Sequence, residues 1–150
     1  MNPARVIASG FGAGYSPWAP GTAGSLLALL VGALLMVASP DALPVAALAA
    51  TVGGVWAIRA ARVDGDPGWV VIDEVAGQWI AMLALPRPTW TGLLMAFALF
   101  RLLDIAKPGP VGWADRQSGA VGVMADDVIA GAIAAAVVWL LRLSWPAVLG

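Results

Sequence analysis

Five carboxylates sit in costly places. Asp73, Glu74, Asp104, Asp126 and Asp127 are five of the nine acids in a 150-residue chain, and each abuts an almost uncharged apolar run. Ionised groups beside hydrocarbon are rare and usually face a partner, a cavity or a metal. The chain has no His and no Cys, so the commonest metal ligand and any thiolate chemistry are missing. A cation held here would have oxygen ligands, which select a hard ion such as Mg2+ or Mn2+. Adjacent helical residues point about 100° apart. Neither Asp73 and Glu74 nor Asp126 and Asp127 can both aim at one point unless the helix begins there. One acid of each pair then binds metal while the other caps a helix or orients a ligand. The plain alternative makes all of them N-caps and first-turn acids that suit the helix dipole. Three separate clusters weigh against it.

Basic and hydroxyl residues accompany the acids. Arg101, Asp104 and Lys107 fall at i, i+3 and i+6, one stripe on a helix. They make either an ion-pair ladder or a site in which the acid faces a metal and the cations face an anionic substrate. Arg grips phosphate oxygens bidentately and Lys acts as a point charge. Pro108 and Pro110 end that helix and hold an extended turn; Asp115 and Arg116 lie in the loop that follows and face either the same site or only water, and Asp115 is a further candidate substrate contact. The segment from Gly10 to Ser25 is rich in Gly and hydroxyls and leads into a helix, whose N-terminal N–H groups favour phosphate. Gly21, Thr22 and Ser25 are its candidate ligand contacts. No Lys precedes the hydroxyl residue, so it is not a Walker A loop. Gly77 and Gly131 suit close helix packing better than ligand contact.

The elements that must position these residues are apolar helices. Hydrophobic residues make up 61% of the chain and charged residues 11%, with a mean hydropathy of +0.87. So few charges cannot coat a soluble domain, and lipid is the expected solvent. Five apolar segments run from about Gly24 to Ala38, Leu43 to Ile58, Val70 to Leu85, Thr89 to Ile105 and Val121 to Leu141. They lack period-2 alternation and are rich in Ala and Leu, which favours helix. Several fall short of the ~20 residues of a typical span, so some segments enter only partway or borrow length from their flanks. The expected architecture is an all-α, polytopic membrane bundle of four to five helices, one domain over residues 1–150. The net charge of −1, with no basic tail, gives no reason to expect nucleic acid. The N-terminus lacks the apolar stretch of a cleaved signal peptide.

Charge asymmetry orients the bundle. With the N-terminus in the cytosol and five spans, Arg5, Arg59, Arg62, Arg101, Lys107 and Arg116 fall on the cytosolic side, and only Arg87 and Arg142 on the other. This obeys the positive-inside rule. Trp18, Trp69 and Trp113 then lie at the cytosolic interface, and Trp90 and Trp145 at the far one. The same orientation brings to one face Asp73 and Glu74, expected to open the third helix, Asp104, expected to close the fourth, Asp126 and Asp127, expected to open the fifth, and the Gly10–Ser25 segment.

Four blocks in order resemble the bacterial phosphatidylglycerophosphatase A family. The first comprises Gly10-Phe-Gly-Ala-Gly14, Ser16-Pro17 and Pro20-Gly-Thr-Ala-Gly-Ser25. The second is Asp66-Pro67 with Val71-Ile-Asp73-Glu74-Val-Ala-Gly77. The third is Phe100-Arg101-Leu-Leu-Asp104-Ile-Ala-Lys107-Pro108-Gly-Pro110 with Asp115, and the fourth Gly122-Val-Met-Ala-Asp126-Asp127-Val-Ile-Ala-Gly131. The chain departs in its short loops and termini, and in having no His near Asp66, where some members carry one. That argues against an essential His there. The resemblance implies an Mg2+-dependent enzyme of the bacterial inner membrane that hydrolyses phosphatidylglycerophosphate to phosphatidylglycerol. In such an enzyme some of the five acids bind Mg2+, Arg101 and Lys107 neutralise the phosphate, and a free carboxylate such as Glu74 serves as base. An Asp nucleophile is the rival to water. Self-association into a homo-oligomer is left open. The competing class is a small cation transporter or channel, which would spread acids through the bilayer depth. A structural subunit whose acids only cap helices is a third.

Overall fold

The computed structural model describes residues 2–146. Among them are seven α-helices and no strand: α1 (Pro3–Ala8), α2 (Pro20–Ala38), α3 (Ala42–Ala60), α4 (Ile72–Met82), α5 (Trp90–Ala106), α6 (Pro110–Asp115) and α7 (Gly119–Ser144). A single 3-10 turn, Ala13–Tyr15, lies between α1 and α2. The all-α expectation holds. Three helices, α2, α3 and α7, are long and apolar enough to cross a membrane. Their outward faces carry exposed Leu30, Leu34, Leu48, Val52 and Leu140, the pattern of helices solvated by lipid.

The third apolar segment behaves differently. Its helix, α4, has 11 residues and so is about 16 Å long at 1.5 Å per residue. That is roughly half of a ~30 Å hydrocarbon core. It sits at the centre, packed against α2, α3, α5 and α7. Of its residues, Ile72, Asp73, Val75, Ala76, Gly77, Gln78, Ala81 and Met82 are buried. A helix hidden on nearly every side reads as a continuous apolar run and cannot be told from a span by hydropathy.

Small residues let the neighbours close on α4. A Cβ on Gly24 would lie 2.8 Å from the side chain of Val71, the N-cap of α4, and one on Gly54 3.3 Å from Ile72 Cγ1 of α4. The tightest approach is to α7, where a Cβ on Gly131 would strike the Gly77 carbonyl and lie 3.0 Å from Gly77 Cα. Gly77 and Gly131 are thus packing residues, as expected from the sequence. Trp79 Nε1 donates to the Ala28 carbonyl at 2.8 Å and ties α4 to α2. At one end of the bundle Arg142 donates to the Ala84 carbonyl just past α4.

The other end is held by the N-terminal residues. The Val71 N–H donates to the Ala8 carbonyl at 2.9 Å, immediately before α4 begins. Trp69 stacks on Tyr15 with centroids 6.0 Å apart, and Arg5 lies 4.8 Å over its ring. Trp69, read as an interfacial residue, is therefore engaged within the protein. Trp18, Trp90, Trp113 and Trp145 are exposed, as an aromatic belt requires.

Gly131→Leu is expected to lower the melting temperature in detergent by several degrees, because overpacking costs about 1–3 kcal/mol. Gly53→Ala is the control: nothing lies within 4 Å of a Cβ there, so its midpoint should stay or rise. Equal midpoints for the two variants would refute the close α4–α7 crossing.

Candidate active site

Each acidic cluster occupies a defined place on its helix. Asp73 and Glu74 are in the first turn of α4, but its N-cap, Val71, has no side-chain capping bond. Asp104 is in the last turn of α5. Asp126 and Asp127 differ from expectation. Helix α7 starts at Gly119 and has no acid in its first turn, so the pair lies about 10 Å along the axis. They do not open the helix and cannot be its caps. Two turns of α7 before them are used instead to pack on α6 and line a cavity.

The five acids come together. One ligand atom each from Asp73, Glu74 and Asp127 can lie within 4.8 Å of one another, and so can one each from Asp104, Asp126 and Asp127. Asp127 belongs to both groups. Asp73, Asp126 and Asp127 are buried. Asp73 Oδ1, Glu74 Oε2 and Asp127 Oδ1 are buried oxygens with no hydrogen-bond partner. Buried polar atoms almost always have one, and an uncompensated buried carboxylate is costly. A hard divalent cation would satisfy all three, so the donor set fits an oxygen-ligated metal such as Mg2+.

The basic residues stand beside the acids. Arg101 is paired with Asp104, and its Nη1 and Nη2 point to Ser25 Oγ and Thr22 Oγ1, each at 3.4 Å. Lys107 breaks the expected stripe. It ends α5 in the left-handed conformation, φ +46°, and turns to Asp126 and to Asp115, 2.7 Å away. The ladder reading therefore holds for Arg101 and Asp104 alone. Burial by itself would lower the Lys107 pKa, but its bonds to Asp115 and Asp126 outweigh that and raise it. Lys107 is thus a fixed positive charge.

The residues before α2 form less of a loop than the sequence suggested. Helix α2 begins at Pro20, so Gly21, Thr22 and Ser25 are helical, and Ser25 Oγ donates to the Gly21 carbonyl at 2.8 Å. A Cβ on Gly21 would collide with the Glu74 carboxylate and lie 3.5 Å from Arg101 Nη1. All three residues thus flank Arg101 or Glu74. The extended turn expected at Pro108 and Pro110 is instead the start of α6, with Pro110 at its first position. Proline suits that position because its φ is preset and no N–H is required. Asp115 closes α6 rather than lying in a loop.

Sequence reasoning left out Asp66 and Gln78 as site residues. Asp66, with Asp64, Asp115, Ser118, Gly122 and Asp126, lines a cavity of ≈ 370 Å3 at this end of the bundle. Burial raises the Asp66 pKa, and the negative charge of Asp126 adds to it while Lys107 opposes. Asp66 belongs to the second block of the family resemblance, but a single loop acid carries no spacing signal. Gln78 is fully buried with neither amide atom partnered. It lies one turn beyond Glu74, and a lone amide in an apolar run was the available clue.

Comparison with known proteins follows the same residues. The phosphatidylglycerophosphatase A family matches residues 6–142, a stretch that includes every residue of the acidic and basic cluster. The chain belongs to this family. It is 36% identical over 149 residues to a protein named phosphatidylglycerophosphatase A from Escherichia coli (strain K12), covering 97% of this chain and 87% of that one. A like-named protein from Haemophilus influenzae is 36% identical over 147 residues, 95% of this chain and 90% of that one. A Bacteroides thetaiotaomicron protein named putative phosphatidylinositol-3-phosphatase is 43% identical over 136 residues, 84% and 85% of the two chains. No solved structure matches.

Lys107 and Asp126 should behave as a coupled pair. Lys107→Met strips a buried carboxylate of its cation and should lower the melting temperature. Adding Asp126→Asn should restore part of the loss, with a coupling of roughly 0.5–3 kcal/mol. Strict additivity in this double-mutant cycle would show that the pair contributes nothing.

Proposed function

We propose that the protein is a membrane phosphatase that hydrolyses phosphatidylglycerophosphate to phosphatidylglycerol and phosphate during phospholipid synthesis, in the bacterial inner membrane and at its cytosolic face. The observation that carries the reading is one cluster in which unpartnered buried carboxylate oxygens (Asp73, Glu74, Asp127) adjoin a guanidinium and an ammonium (Arg101, Lys107). A cation pathway has no use for those two basic groups at its acids. Helix capping does not account for Asp126 and Asp127, seven and eight residues after the start of α7. Family membership and the names of two relatives supply the substrate. The distribution of Arg and Lys supports the cytosolic face.

Asp73, Glu74, Asp104, Asp126 and Asp127 would hold Mg2+, which when bound supplies charge to the phosphoryl oxygens and acidifies water. Arg101 presents its planar fork to two phosphate oxygens, steadied by its long contacts with Ser25 and Thr22. Lys107 adds a second positive charge, held near α7 by Asp115 and Asp126. These charges offset the negative charge of the phosphoryl group as the ester bond to glycerol breaks. Glu74 would offer one carboxylate oxygen to the metal and accept the proton of the attacking water on the other, and that proton later reaches the leaving glycerol oxygen. Gly21 leaves room for the Glu74 carboxylate to do so. The acyl chains stay in lipid, so only the headgroup reaches the acids.

Purified protein in mixed micelles should release phosphate from phosphatidylglycerophosphate, stop on chelation and recover with Mg2+. Asp127→Asn should lose at least a hundredfold in kcat. Labelled water entering the released phosphate, with no trapped phospho-enzyme, is expected for direct attack. Phosphatidylinositol 3-phosphate, tested in parallel because of the Bacteroides relative's name, should be the poorer substrate. No phosphate from phosphatidylglycerophosphate with or without Mg2+ would end this reading.

A further inference from the structure

We infer that the acidic cluster is two unequal cation sites sharing Asp127, and that the second fills only when an incoming phosphate draws Arg101 and Lys107 away from Asp104 and Asp126. This rests on the phosphatase reading and adds to it a number of ions and an order of binding. The two groups of acids differ in how their charge is balanced. Asp73, Glu74 and Asp127 have no basic side chain at ion-pair distance among the described residues, and each keeps a buried oxygen without a partner. Asp73 and Asp127 are only 4% and 3% exposed. That site is ready for a dication and costly without one.

The second group is already occupied by protein charge. Asp104 Oδ2 is taken by Arg101 and Asp126 Oδ2 by Lys107. A cation entering among Asp104, Asp126 and Asp127 must compete with both for the charge of the same carboxylates. It must also approach a first dication bound to the shared Asp127. Paired ions in phosphoryl-transfer sites stand about 3.5–4 Å apart, where their repulsion is strong unless an anion lies between them. A phosphate monoester removes both obstacles. Its oxygens bridge the ions, and they offer Arg101 and Lys107 a new anionic partner. Arg101 can make this exchange because its contacts with Ser25 and Thr22 are long, 3.4 Å each, and Lys107 because it is 31% exposed. By linkage, phosphate tightens the second cation by the same factor that the second cation tightens phosphate.

The test is a Mn2+ titration of the full chain in detergent, read by the electron paramagnetic resonance of free and bound Mn2+, with and without inorganic phosphate. Without phosphate, one Mn2+ should bind tightly. With phosphate, a second should bind at least tenfold more tightly than it does alone, and the bound spectrum should broaden into that of a spin-coupled pair. Asp126→Asn should lose the second ion and keep the first. Arg101→Gln and Lys107→Met should each admit the second ion without phosphate. One Mn2+ under all conditions, in a chain that still hydrolyses the lipid phosphate, would overturn this inference and leave the phosphatase reading intact. Two equally tight ions without phosphate would overturn the coupling. No Mn2+ binding at all would overturn the metal reading and this inference together.

Discussion

The crossing of α4 and α7 at Gly77 and Gly131 sets the geometry of the acidic cluster. Side chains on both helices would hold the backbones apart, but Gly131 lies against the Gly77 backbone and Gly77 lies against Phe100 and the Asp127 carbonyl. That contact carries Asp73 and Glu74 on one helix to Asp127 on the other. Close approach in lipid depends on van der Waals packing rather than on expelling water. The small residues of α2, α3 and α7 therefore let these helices close around α4 and the buried Ile58, Met82, Phe100 and Met124.

Crowding five carboxylates at that crossing creates a repulsion that the surroundings balance unevenly. Arg101 and Lys107 compensate Asp104 and Asp126. Asp73, Glu74 and Asp127 are left with unpartnered oxygens. Charge is thus neutralised from within on one side and awaits neutralisation on the other. The proposed chemistry uses this difference: the basic groups serve the acids until a phosphate arrives. The long contacts of Arg101 to Thr22 and Ser25 steady the guanidinium without fixing it.

Helix α4 also explains how an active site can sit at the end of a membrane bundle. Its eleven residues are about half as long as the hydrocarbon core is thick, and its body is enclosed by longer helices. The N-terminal residues fix that first turn through the Val71–Ala8 hydrogen bond and the Trp69 stack on Tyr15. A cavity between the loop at Asp64–Asp66 and the start of α7 opens beside Asp126.

The amino-acid sequence by itself determined the all-α membrane character, because so few charges over long apolar runs admit no other solvent. It also determined the oxygen-only chemistry, since His and Cys are absent, and the family, since four ordered blocks carry it. Gly77 and Gly131 were legible as packing residues because small residues in apolar helices have few other uses. The division of roles among the acids was not legible. Helical periodicity says where a side chain points on its own helix, not what faces it from another. Only the tertiary structure moved Asp126 and Asp127 into the body of α7, turned Lys107 from Asp104 toward Asp126, and brought Asp66 to the cavity. Hydropathy could not separate α4 from a span, because burial in protein and burial in lipid select the same residues. Which acids are compensated and which stand open depends on contacts between residues far apart in the chain, and those exist only once the helices have packed.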